Sequence, residues 1–220
     1  MDTAPLLLSA KLAGVSTVLL LILAMPLAAA LVFVRFPGRF LADSLVNLPL
    51  VLPPTVLGFY LLVLMGPEGL VGRAWARVSD GPLVFTFVGI TLAAMIHSLP
   101  FAVQPLKTAF QKIDPRLLEM SAVLGLTPTA TFFRVILPNS LGGMATSVIL
   151  AFAHTMGEFG VILMIGGSIP GKTRVASIAI YEYVETMRYQ EAVYMSLVLV
   201  GISYAVLLTV NFLNTRSRHA

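Results

Sequence analysis

An all-α polytopic membrane protein with about five transmembrane helices, and a short capped helical hairpin between the third and the fourth, is the fold this sequence predicts. Three observations predict it. Hydrophobic residues make up 58% of the chain and charged ones 11%, with a mean hydropathy of +0.93, so polar surface could not cover a water-soluble core. Five windows carry no Asp, Glu, Lys or Arg: Leu12 to Val34, Ser44 to Pro67, Gly81 to Leu106, Val135 to Gly157 and Ala192 to Thr215. Each exceeds the ~20 residues a helix needs to cross hydrocarbon. Finally, the polar-edged stretch from Asp114 to Pro138 carries start and stop signals for two short helices.

The first span, about 12–34, includes Ala28-Ala29-Ala30, which a signal peptidase could read. The apolar run continues to Val34, and Asp2 with a single Lys11 stands where a positive leader region should be. The segment therefore stays as a helix, with a kink at Pro26. In the second span, about 46–66, Pro49, Pro53 and Pro54 free backbone carbonyls, which a bilayer tolerates only beside neighbouring helices or a wet path. That packing suggests a conduit more than an anchor. The third span, about 83–106, holds His97 and Pro100.

The hairpin occupies 114–134. Asp114 is an N-cap, Pro115 suits the first helical position, and Leu117, Met120 or Ser121, and Leu124 repeat on one face. Gly125 ends that helix in the left-handed conformation, and Thr127-Pro128 starts a second short helix through Phe133. A stiff hairpin at a membrane surface is a part made to be gripped. The fourth span, about 136–158, leads into Phe159 to Gly171, which is uncharged but too short to cross and contains Gly160, Gly166 and Gly167; it reads as the end of the span plus a re-entrant or interfacial turn. An interfacial helix over Arg174 to Val184 and a fifth span, about 193–214, complete one domain over 1–220.

Lys and Arg set the expected orientation. Arg35, Arg39, Lys107, Lys112, Arg116, Arg134, Arg216 and Arg218 fall on one side, and Lys11, Arg73, Arg77, Lys172, Arg174 and Arg188 on the other. Eight against six places the hairpin and the C-terminus inside the cell and the N-terminus outside. No basic cluster is interleaved with aromatics, so the pI of 9.6 does not point to nucleic acid; the expected surroundings are membrane lipid.

Glu158 is the carboxylate to weigh, because an ionisable group beside a span is costly unless paired or wet. Its charge would repel an anion. Two readings remain: a structural or gating ion pair with Lys172 or Arg174, and a simple marker of the helix end. His154 and Glu158, one turn apart, offer two metal ligands, too few for a site, so no metal and no cofactor is expected and His97 and His154 read as satisfied interior residues. Gly166-Gly167-Ser168-Ile169-Pro170-Gly171-Lys172-Thr173 fits the P-loop pattern. Pro170 removes an N–H that a phosphate cradle needs, and a Pro-Gly turn explains the segment instead. No nucleophile with its base and no metal-spaced carboxylate and histidine set is present, which leaves an integral-membrane enzyme a distant alternative to transport, with an assembly or signalling subunit third.

Glu119-Met120-Ser121, Gly125 six residues after the glutamate, and then Val135, Leu137 and Pro138 resemble the cytoplasmic-loop signature of bacterial ABC-importer permeases. That signature is Glu-Ala-Ala, three residues, Gly, nine residues, Ile-x-Leu-Pro. Met120, Ser121 and Val135 depart from it modestly, and the register is kept. Phe36-Pro37-Gly38, Leu48 to Pro54, Gly157-Glu158-Phe159-Gly160 and Ile169 to Arg174 extend the resemblance to the molybdate permease branch of that family. The resemblance implies a homodimeric, all-helical, inner-membrane body that conducts molybdate, or tungstate, with sulfate or another oxyanion as the alternative. It also implies two cytoplasmic ATPase subunits gripping the hairpin through Glu119, Met120, Ser121, Gly125, Leu137 and Pro138, and an external oxyanion-binding protein. ATP hydrolysis then belongs to the partner, not to this chain.

Overall fold

The computed structural model describes residues 2–216, and every regular element among them is helical. Three helices are long and apolar enough to cross a membrane, or five segments if each of two bent pairs is taken as one span. The first is α1, Ala4–Phe33, which runs unbroken through Pro26 and the alanines beyond it. Ala13, Ala24 and Ala28 are fully buried on α1, and such small side chains let a neighbouring backbone approach closely. That neighbour is α5, Phe87–Gln111, the most enclosed of the three long apolar helices, which packs against both α1 and α9, Leu141–Met156. Where α5 and α9 cross, a Cβ on Gly143 would stand 2.3 Å from the Cβ of Ala109, so only glycine fits.

The expected second span is two helices. α2, Arg39–Val51, and α3, Pro54–Met65, are bent by 114° across the break between them. The cause is local: Pro53 and Pro54 cannot donate, Leu52 before them is extended (φ −72°, ψ 134°), and Pro54 starts the next helix at its first position. The expected fourth span is likewise bent, by 76°, between the stretch ending at Asn139 and α9. A short α4, Leu70–Trp75, follows α3.

Past α9 the uncharged stretch, expected to end the span and form a re-entrant or interfacial turn, packs inside the protein. α10, Gly160–Gly166, is buried against α3 and α5, with Val161, Ile162 and Ile165 fully enclosed beside Leu57, Leu61 and Ile90. Gly58 and Gly160 permit the fit, since a Cβ on either would come within 3 Å of Met164 or Pro54. α11, Ala176–Glu185, matches the short helix expected there, and α12, Tyr189–Arg216, is the last long one. Outward-facing Leu7, Val18, Ile22 and Leu23 on α1, Phe59 and Val63 on α3, and Leu197, Val200 and Leu207 on α12 form apolar surface suited to hydrocarbon.

Candidate functional site

The hairpin between α5 and α9 folds as its caps dictate. The Asp114 carboxylate accepts from the Arg116 N–H at 2.9 Å, and Pro115 opens α6, Pro115–Val123. Gly125 sits at φ +70°, the left-handed region, and the Thr127 hydroxyl accepts from the Ala130 N–H at 3.2 Å ahead of α7, Pro128–Thr131. Beyond Thr131 the chain widens into a π turn over Phe132–Ile136 before α8, Leu137–Asn139, where a second short helix was expected to run through Phe133. Pro138 explains the widening, because it cannot supply the N–H that the Arg134 carbonyl would take in an α-helix.

The two arms are tied together from inside. Ser121 is buried; its hydroxyl donates to the Leu118 carbonyl at 2.7 Å and accepts from Thr131 Oγ1 at 3.2 Å. The departure from the alanine of the loop signature is therefore used as a clasp. Leu118 faces the core, whereas Leu117, Met120 and Leu124 form the face turned outward, with Val123 88% and Leu124 75% exposed. Glu119 is exposed beside them, and nothing stands within 4 Å of where a Cβ on Gly125 would be. An exposed apolar knob of this kind marks a contact site for a protein or for lipid.

The second cluster corrects the expected pairing of Glu158. Its partner is His97, not Lys172 or Arg174. His97 Nδ1 donates to Glu158 Oε2 at 2.7 Å, Glu158 Oε1 accepts from the Val161 N–H at 3.1 Å, and the Glu158 carbonyl accepts from Ser177 Oγ at 2.5 Å. One buried residue thus ties α5, the N-terminus of α10 and α11 together. His154 Nδ1 lies 3.0 Å from Ser98 Oγ, and its ring stacks on Phe101 at 4.0 Å between centroids. His97 is the third ligand missing from the two-ligand count: His97, His154 and Glu158 each place a donor atom within 4.8 Å of the others, a set of the zinc-binding type. His97 and Glu158 use those atoms on each other here. Both are polar groups in apolar stretches, so a mutual partner was the available sequence signal; 61 residues of separation hid which one.

Arg174 is committed elsewhere. Its Nε donates to Glu182 Oε2 at 2.6 Å, Nη1 lies 3.3 Å from Asp2 Oδ2, and the guanidinium stands over the Tyr183 ring. Ser168 Oγ donates to the same Glu182. Lys172 is exposed in the Pro170-Gly171 turn, where Gly171 takes φ +72°. Thr173 is fully buried, and its hydroxyl donates to the Gly166 carbonyl at 2.7 Å while accepting from the Ile169 N–H. In a phosphate loop that hydroxyl would be held for a metal ion. Here it closes the turn.

Long apolar helices around a buried α5, two proline-broken pairs and a protruding capped hairpin define a membrane transport component, not an enzyme. Residues 9–218 match the family described as binding-protein-dependent transport system inner membrane component, and the chain belongs to that family. It is 47% identical over 206 residues, 94% of this chain and 91% of the relative, to the molybdenum transport system permease protein ModB of Azotobacter vinelandii. It is 33% identical over 221 residues, 98% of this chain and 78% of the relative, to a probable sulfate transport system permease protein of Nephroselmis olivacea. The fold superposes with a TM-score of 0.74, at 20% identity and over 98% of this chain and 78% of the other, on a bacterial ABC transporter involved in the import of alginate.

Proposed function

We propose that this chain is the membrane subunit through which molybdate enters the cell, in an importer powered by a separate ATPase. The observation that carries this reading is the 47% identity to a molybdenum permease across 94% of the chain. In this reading the knob of Met120, Val123 and Leu124 is the seat of the ATPase, on the cytoplasmic side, with Ser121 and Gly125 keeping it stiff and Leu137-Pro138 passing its motion to α9. Rigid docking suits the task, because a floppy segment would dissipate ATPase movement before it reached the spans. Two copies of the chain form the conduit, a binding protein delivers the ion at the opposite face, and Glu158 acts as a structural tie and not as a substrate ligand.

Reconstitution of the chain with its ATPase and binding protein in lipid vesicles tests this. ATP-dependent accumulation of molybdate that persists in excess sulfate is the expected result. The 33% identity to a sulfate permease favours one other reading, sulfate as cargo. Accumulation of sulfate with molybdate excluded would establish it, and ATP-independent behaviour with no oxyanion uptake would overturn both.

A further inference from the structure

A groove of about 590 Å³ opens between α5 and α9. Its α5 wall carries Gln104, Thr108 and Lys112, four residues apart and so on one helix face, and its α9 wall carries Thr146, facing them. No Asp or Glu lines it, and Lys112 is the cation among its lining residues. Lys112 takes part in no ion pair among the described residues, whereas Lys107, one turn earlier, is bound to Asp43. The contrast matters. One lysine is neutralised inside the fold and the other is left to project its charge at the end of the groove nearest the hairpin, along a mostly apolar, uncharged wall on which Gln104 Nε2 donates to Asn47 Oδ1 at 2.7 Å and Thr146 Oγ1 to the Gly142 carbonyl at 3.0 Å. At the other end Phe101 closes the groove, and behind it stands His154, on which that ring is stacked.

Resting on the permease reading above, we propose that this groove is the inner stretch of the ion's route, that it takes a hydrated tetrahedral oxyanion, and that Phe101 is its end wall. The chemistry is that of passage. A single cation attracts the anion to the mouth, the anion keeps its water along uncharged walls, and no paired guanidinium clamp holds it. Phe101 to Lys112 spans about 16 Å of helix, enough for half a crossing. The Glu158 carboxylate lies outside the lining, tied to His97, and so does not oppose the anion there.

The chain contains no cysteine, so single cysteines can be read without background from it. Thr108→Cys and, on the opposite wall, Thr146→Cys are each reconstituted in the full complex. Each is then treated with an anionic or a cationic methanethiosulfonate reagent of similar size, and the cysteine-free complex treated alongside corrects for thiols of the partners. The readout is molybdate uptake after reagent relative to the same variant before it. The anionic adduct should reduce uptake by about tenfold or more, and the cationic one by about threefold or less, because a fixed like charge at groove width opposes the anion. Molybdate should also slow modification. Equal loss with both reagents means plain obstruction and overturns the anion route, as does failure of either cysteine to react. If the untreated cysteine-free complex takes up neither molybdate nor sulfate, the permease reading falls and this one with it; normal uptake with no charge dependence sinks the groove alone.

Discussion

Removing the imidazole of His97 should loosen the junction of α5, α10 and α11. His97 and Glu158 are each only 7% exposed and lie 2.7 Å apart. His97→Ala deletes the donor and leaves Glu158 Oε2 buried without it, while Oε1 keeps the Val161 N–H. Losing a hydrogen bond to a charged group costs about 1.5–3 kcal/mol, and breaking a buried pair from one side about 3–5 kcal/mol. Because Oε1 stays satisfied, about 2–4 kcal/mol is the fitting range. At about 2–4 °C per kcal/mol for a chain of this length, the midpoint of thermal inactivation should fall by roughly 5–15 °C. The assay is the fraction of detergent-purified protein that stays monodisperse after heating, with Glu158→Gln and Lys172→Ala measured beside it. Glu158→Gln keeps the shape and should fall less, while Lys172→Ala, at an exposed turn, should stay within about 1 °C of the parent. A His97→Ala midpoint as high as the parent's, or a Lys172→Ala midpoint as low as that of His97→Ala, would refute the assignment of Glu158's partner.

Gly125→Glu should abolish co-purification of the ATPase while membrane insertion survives; Gly125→Ala should retain it, since open space surrounds the position and only about 1–2 kcal/mol of left-handed strain is added. If Gly125→Glu still binds its partner and supports transport at the parental rate, the hairpin is not the coupling element. Gly143→Ala forces a methyl against Ala109 and should cost about 1–3 kcal/mol by parting α5 from α9, seen as a lower inactivation temperature; an unchanged value would show that the crossing has slack. Lys172→Ala should leave nucleotide affinity of the complex unaltered, and nucleotide photolabelling of this chain that disappears with Lys172 would contradict that.

Local signals were legible in the sequence, and long-range ones were not. Asp114, Gly125 and Thr127 act within four residues of themselves, so capping rules place the hairpin without knowledge of the rest. α1, α5 and α12 follow from apolar length alone. Pro49, Pro53 and Pro54 flagged trouble in the second span, yet a bend of 114° depends on what packs around the break. The partner of Glu158 was misjudged for a related reason. Lys172 and Arg174 are near in sequence and opposite in charge, but Glu182 and Asp2 hold the arginine, while His97 reaches the glutamate from another helix. Likewise Phe159 to Gly171 reads by length as a re-entrant or interfacial turn, and only the packing of α3 and α5 shows α10 to be buried within the protein.

Half-helices of 12 residues (α3) and 7 residues (α10) are too short to enter hydrocarbon alone, because their ends would carry bare N–H and carbonyl groups into a medium with nothing to receive them. Each packs into the other, with Gly58 admitting Met164 and Gly160 admitting Pro54, and Glu158 just before α10 receives the Val161 N–H. The order of biogenesis follows from this. α1 is long and apolar enough to enter lipid as it is made, whereas the face that α3 buries here is covered only after α10, about a hundred residues later in the chain, has been translated. The protein's vulnerable moment is therefore during synthesis, between Met65 and Gly160, and substitutions at Gly58 or Gly160 should be felt as lost yield of inserted protein before they are felt as lost transport.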